Sequence, residues 1–528
     1  MSSTLIHEQK PNLDDGERFR LNEKSNKVSL PDGRILQRLR GPRKQKPKTG
    51  PSARITTDSH TRMRLMVENP DSYRNFDHMT MGTNEKGGSP GIYPRQLYSL
   101  MFGLQNALAQ KTMCQNLRFP EYIKILKENL LDALPHVQLD DQVRIRNWVK
   151  NPRIPSPSRI NRMFSDIESR GVDLDVVFDS RAIQLALESG RFSSDHDVYA
   201  ESNYLVGDGT VLKSASPRPA MEYIDIETGE IRQRRTDLGS LVHTEGGGET
   251  VYGTKYAFVW STGENAHDTI AMGAVHVASN APGIEAKCAI GLVEKIQIAL
   301  ADRGECASLL AYDRAATGHQ QEKLNGIGMV LATRAFMDTA EGSDSHYRKP
   351  KYIGHVTASC GHEQRFVAIL KRLHHEVTDV NGKKIPKILE HKLRPKRRGD
   401  QIYHYTEHSY VCWCLPNSPQ TLRISWNGRK AALSSSKNGI VLAGDKGYEN
   451  MLRYLQPHAP DSEEFKVILG KRQTSESMHS IMDDLLPFKR LQRWNLTTKR
   501  NWVYGYLIGH NLVYQQLRRP GAIDHLIG

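Results

Sequence analysis

Between residues 204 and 334, short apolar runs and longer helical ones alternate in an order that few folds satisfy. The segments 204–213 (YLVGDGTVLK), 250–260 (TVYGTKYAFVW) and 269–277 (TIAMGAVHV) read as strands. Residues 285–300 then place apolar side chains three and four apart, the period of a packed helix. A short apolar run at 308–313, a helix-compatible 319–325 and a last apolar run at 328–334 complete the series. The order is β-β-β-α-β-α-β. Its crossovers are long enough for parallel pairing, so a mixed α/β sheet is expected.

A chain of 528 residues exceeds one ordinary core. Residues 1–60 are polar and basic, with Lys and Arg crowded between Arg40 and Lys48, and read as a disordered arm able to lie along phosphates. Residues 61–199 look helical, 200–344 carry the strand series, and 345–439 interrupt it. That insertion holds strand-like pieces at 351–356, 365–370 and 408–415 and a basic stretch from Lys383 to Arg398. Residues 440–528 return to helix, and Trp494, Trp502, Tyr504 and Tyr506 there sit at spacings suited to a packed core.

The 73 Lys and Arg against 59 Asp and Glu give a net charge of +14, which favours polyanionic partners, nucleic acid first. No apolar run approaches the roughly 18 residues that span a bilayer. The first residues lack the charged-then-apolar order of a signal peptide. Six scattered cysteines form no disulfide framework and suit a reducing compartment. The chain therefore reads as soluble and cytoplasmic, with no membrane partner.

Three acids then stand out. Asp208 interrupts the first strand, Asp313 closes the fourth, and Glu476 lies at the start of a segment with helical character. Singly, each has a bland account: Gly-Asp-Gly is turn-like, an Asp after a strand can cap a helix, and Arg472 with Glu476 is spaced as a helix ion pair. Jointly they offer the several carboxylates that two-cation phosphodiester chemistry needs.

This layout resembles the DDE transposases of insertion-sequence type, over about residues 200–335 and 440–515. The resemblance implies a ribonuclease-H-like mixed sheet with a β-rich insertion and an N-terminal helical DNA-binding region. By similarity, Asp208, Asp313 and Glu476 are the catalytic acids and hold two Mg²⁺ or Mn²⁺ ions. The substrate would be double-stranded DNA, as terminal inverted repeats and target. The protein would act as a homodimer or higher oligomer on DNA and associate with the nucleoid. Around the third acid, one large insertion-sequence group has Tyr, two residues, Arg, three residues, Glu, six residues, Lys. Arg472 and Glu476 keep their spacing, whereas Leu469 and Asp483 occupy the Tyr and Lys positions. Asp445, in a Gly-Asp-Lys-Gly-Tyr segment resembling one used by some of these families, competes with Asp313. Choosing it would leave little room for a helix and strand before Glu476. Another nuclease of the same fold, or an inactive DNA-binding descendant, are the rival readings.

Other residues complete the picture. A helix pair at 140–150 and 155–167, capped by Ser156 or Ser158, would present Arg159, Asn161 and Arg162 near the second helix's N-terminus, where a recognition helix reads a major groove. Lys471, Arg472 and Lys489 are candidates for contact with the DNA backbone. Cys360-Gly-His362 and Cys412-Trp-Cys414 could pool four ligands for a structural Zn²⁺. Trp413 and Trp426 are candidates for stacking on a flipped base.

Overall fold

The computed structural model describes residues 27–29, 35–37, 58–77, 79, 93–193, 200–216, 222–224, 231–233, 237, 239–244, 250–263, 268–313, 316, 318–333, 349–398, 401–426, 440–442, 444–459, 462–486 and 489–519. Two compact units result, Met1–Thr56 and Thr57–Gly528. In the first, β1 (Lys27–Ser29) and β2 (Ile35–Gln37) form an antiparallel hairpin. The basic run 40–48 lies outside the described residues.

The larger unit is mixed α/β. It begins with helices α1 (Ser59–Glu68), α2 (Arg95–Gly103), α3 (Gln110–Asn116), α4 (Pro120–Ala133), α5 (Leu139–Lys150), α6 (Pro157–Ser165) and α7 (Leu174–Glu188). At the start of α6 the Ser156 hydroxyl accepts from the Arg159 N–H at 3.4 Å, and Pro157 takes the first helical position, whose N–H would otherwise go unused.

Six strands make the central sheet: β3 (Tyr204–Lys213), β6 (Leu241–Thr244), β7 (Thr250–Thr262), β8 (Thr269–Val277), β9 (Leu309–Ala311) and β10 (Val330–Ala332). A separate hairpin joins β4 (Glu222–Ile224) to β5 (Ile231–Gln233). Across the central sheet β8, β7, β3, β9 and β10 lie side by side, with β6 also on β7. β7 runs antiparallel to β3 and β8, whereas β9 is parallel to both β3 and β10. The two parallel joins need crossovers. Helices α8 (Ile284–Ala301) and α9 (His319–Gly326) supply them, which is the expected order of elements.

Strand alternation sorts the two faces of this sheet. Tyr204, Val206, Phe258, Trp260, Leu309 and Ala311 belong to one apolar cluster, shared with the two C-terminal helices α11 (Glu463–Leu485) and α12 (Leu496–Leu517). Leu205, Ala257, Val259, Leu310 and Tyr312 belong to a second, shared with α8. Helix α12 also packs on α1, α2, α6 and α7, so the N-terminal helices are built onto the C-terminal one.

The insertion has its own core. One antiparallel sheet orders as β14 (Lys384–Ile388), β13 (Arg372–Thr378), β12 (Glu363–Ile369), β11 (Lys351–Thr357) and β18 (Val441–Leu442). A second has β15 (Glu390–Arg398), β16 (Gln401–Tyr410) and β17 (Gln420–Ser425). Ile353, Phe366, Leu422 and Trp426 meet Tyr448 and Met451 of α10 (Gly444–Tyr454) in one cluster. Among the described residues no helix is long and apolar enough to cross a membrane.

Candidate active site

The register between β3 and β9 positions the first two acids. Tyr204 pairs with Leu309 and Val206 with Ala311, an offset of 105 (311 − 206). Asp208 and Asp313 share that offset (313 − 208), two residues further along. Beyond β9 the Tyr312 N–H donates to the Ala332 carbonyl at 3.1 Å, so the chain keeps its sheet pairing there. Alternation then turns both carboxylates to the face covered by α11, about one strand spacing apart. Asp313 is among the groups that push Asp208 up.

Helix α11 brings the third acid. Ser462 caps it by accepting from the Phe465 N–H at 3.1 Å, with Glu463 and Glu464 in its first turn. Glu476 therefore sits mid-helix rather than at a helix start, because turns anchored by the buried Phe465, Ile468 and Leu469 precede it. Arg472, Glu476 and His479 fall on one stripe, being four and seven residues apart. The Arg472 guanidinium reaches Glu476 Oε1 at 2.6 Å and Asp208 Oδ2 at 3.4 Å. One cation thus joins the helix acid to the strand acid. The ion pair within the helix exists, and it is part of this larger contact.

Asp208 is only 14% exposed in its side chain, whereas Glu476 is 56% exposed. Burial, opposed by Arg472 and reinforced by Asp313 and Glu285, pushes the Asp208 carboxyl up to about 7. Burial is the largest cause, so keeping the carboxylate's charge from water does more to raise it than the neighbouring acids do. His479 Nδ1 lies 3.9 Å from Asp208 Oδ2, and its ring packs 5.5 Å from Phe258, the cross-strand partner of Asp208. Burial and the neighbouring Arg472 push this imidazole down to about 4, so at neutral pH it faces Asp208 uncharged.

The opposite face of β3 explains two glycines. A Cβ on Gly207 would stand 2.7 Å from the Tyr312 ring, and one on Gly209 would stand 2.3 Å from the Glu285 carboxyl carbon. Tyr312 donates to Glu285 at 3.0 Å, and Lys255 pairs with Glu285 at 2.5 Å. The Gly-Asp-Gly triplet is therefore strand, not turn: its glycines admit this half-buried triad while Asp208 points the other way. His479, Glu285 and Tyr312 were not singled out from the sequence. The seven-residue spacing of His479 from Arg472 was the available signal.

The remaining candidates fare differently. Arg159, Asn161 and Arg162 are exposed on α6, whose Ile160, Met163 and Phe164 are buried, and the Arg159 guanidinium sits 5.0 Å from the Tyr93 ring centre. Lys471 is tied down at 2.5 Å to both Glu201 and the Gly263 carbonyl, so it anchors α11 instead of reaching outward. Lys489 is exposed beside Asp484 at 3.5 Å. Asp445 lies in α10, with its side chain outside the described residues. Trp426 is buried and donates to Thr406 Oγ1 at 3.2 Å, which removes it as a base-stacking surface; Trp413 is 76% exposed. Trp502, Tyr504 and Tyr506 are core, but Trp494 is only half-buried, since it precedes α12 and helical spacing does not govern it.

Cys360, His362, Cys412 and Cys414 converge, with one ligand atom from each lying within 4.8 Å of the others, a cluster able to hold a metal ion. The chain matches no protein-family model and no curated protein.

Proposed function

We propose that the chain is a DNA transposase with a ribonuclease-H-like core. The observation that carries this reading is the matched placement of Asp208 and Asp313 along adjacent parallel strands, with Glu476 joined to Asp208 through Arg472. The sheet order β8-β7-β3-β9-β10, with its three antiparallel-linked strands followed by two parallel ones, supports the core assignment. So does the location of the insertion between the second and third acids.

The donor set suits hard divalent cations: three carboxylates, one of them held up to about 7. Asp208, Asp313 and Glu476 would hold two Mg²⁺ or Mn²⁺ ions, which when bound activate water or a 3′-hydroxyl and stabilise the leaving oxygen. The thiolate-rich cluster of the insertion is too soft a donor set for this task. The protein's own groups set the conditions. Asp208 must lose its proton to serve as a ligand, and Arg472 favours that loss. Arg472 also offers N–H groups to a phosphate at the strand face. Lys471 fixes α11 against Gly263 and Glu201, which holds Glu476 over the strand ends. His479, uncharged at neutral pH, adds no positive charge of its own beside Asp208.

The exposed Arg159, Asn161 and Arg162 of α6 would read terminal inverted repeats, and two copies would bring the paired ends together. The test uses the full chain, linear DNA bearing the terminal repeats that flank its gene, a target plasmid and Mg²⁺. Nicking at the repeat ends with joined 3′-ends is expected. Cleavage without joining would instead assign a nuclease of the same fold, and binding without cleavage an inactive DNA-binding descendant. Cleavage that survives Asp208→Asn would sink the site. Unchanged repeat affinity in Arg159→Ala would move recognition away from α6.

A further inference from the structure

We propose that Cys360, His362, Cys412 and Cys414 form a tetrahedral structural Zn²⁺ site that pins the two sheets of the insertion together. The proposal stands apart from the carboxylate site and does not depend on its role. Cys360 and His362 occupy the turn between β11 and β12 of the five-stranded sheet. Cys412 and Cys414 occupy the segment between β16 and β17 of the three-stranded one. The pairs are 52 residues apart in sequence, yet their ligand atoms touch. Cys360 Sγ is 3.4 Å from Cys412 Sγ and 3.4 Å from His362 Nδ1; Cys414 Sγ is 3.3 Å from Cys412 Sγ and 3.4 Å from His362 Nδ1.

Those separations match a tetrahedron's edges. With Zn–S near 2.3 Å and Zn–N near 2.0 Å, ligand atoms around one ion stand roughly 3.5–3.8 Å apart, so binding asks for an outward shift of a few tenths of an ångström. Three thiolates and an imidazole are the donors Zn²⁺ prefers, and they reject Mg²⁺ and Mn²⁺.

Two features around the cluster point to a ligand. Gly361 stands at φ +85°, in the left-handed region, and this turn brings Cys360 and His362 to the same side; a β-carbon there would be strained. Behind Cys412, the Gln364 amide donates to Sγ at 3.3 Å, and the His375 Nε2 hydrogen bond to Gln364 Oε1 at 2.9 Å fixes which way that amide faces. Gln364 and His375 are 5% and 3% exposed. A buried donor aimed at a sulfur, itself oriented by a second buried group, is the outer support that metal-bound thiolates receive. The ion would close a long loop at its ends, tying the β11–β12 turn to the β16–β17 segment.

The full, untagged chain, purified with reductant and without chelator, is assayed for metal content and then, after chelation, titrated with Co²⁺. About one zinc per chain is expected, with the intense visible bands of tetrahedral thiolate-bound Co²⁺ and displacement of Co²⁺ by Zn²⁺. Cys412→Ser/Cys414→Ser should lower the zinc content at least about tenfold. If that variant does not fold, the wild-type Co²⁺ spectrum decides alone. Zinc-free protein with a weak octahedral Co²⁺ spectrum would overturn the proposal. So would zinc retained in the double variant, or a Cys360–Cys412 disulfide in protein purified with zinc present.

Discussion

Among the described residues the Cys and His ligands converge on one point, and the proposed carboxylate site is built on the opposite plan. The carboxylates rest on rigid elements: a strand, the end of its parallel neighbour, and a long helix. The thiols and imidazole rest on hairpin turns. The first sets a largely buried Asp208 against Arg472, and it leaves Glu476 open to solvent. The second places Cys412 within the insertion's apolar core and turns Trp413 outward. A hard donor set with one acid open to solvent suits the proposed reaction on DNA, while a soft set anchored at the buried Cys412 suits holding two sheets in place.

The largest effect should come from Asp208→Asn. Losing one ligand removes several kcal/mol of transition-state stabilisation, so Mg²⁺-dependent cleavage should fall by about 10³-fold or more. Zinc content should stay unchanged; a drop in zinc would show that the two clusters are not independent. Next, Trp426→Ala should cost about 3–5 kcal/mol in chemical denaturation, because it empties a large buried site in the insertion's core. A loss confined to the insertion would sharpen the separation between the two regions.

A smaller effect concerns pH. Asp208 ionises near 3.8 when unfolded and at about 7 when folded, so the native chain holds more protons between those values. Its contribution to stability is present below the lower value and is lost as pH rises through the upper one. Thermal melts without divalent ions should therefore show falling stability from about pH 4 to pH 7, and millimolar Mg²⁺ should raise Tm more at pH 8 than at pH 5. Arg472→Ala should move the pH midpoint for Mg²⁺ binding upward by about one unit, since it removes the cation that favours the charged acid. Least of all, Trp413→Ala should change stability by no more than about 0.5 kcal/mol. A larger loss would mean that the turn bearing Cys412 and Cys414 relies on this indole.

The core sheet was readable because its signals are local. β3 and β8 match the apolar runs 204–213 and 269–277 to the residue, and α8 extends the run 285–300 by one residue at each end. The matched height of Asp208 and Asp313 follows once those strands are parallel neighbours. What the sequence did not disclose depends on tertiary contact. Spacing pairs Arg472 with Glu476, but only the docking of α11 brings Asp208 to the same guanidinium. Glu285 under Gly209 belongs to a helix that no local pattern links to that glycine. Cys360 and Cys412 each stood in a visible pair, and their meeting depends on how two sheets lie together.

The insertion also sets a schedule for the ribosome. Glu476 follows Asp313 by 163 residues (476 − 313). At roughly 5–20 residues per second, translation reaches the helix acid about 10–30 s after the second strand acid. Through that interval β3, β7 and β9 lack α11 and α12, so Val206, Phe258 and Trp260 wait uncovered on a nascent chain. No emerging chain carries the complete trio of acids until α11 has been made.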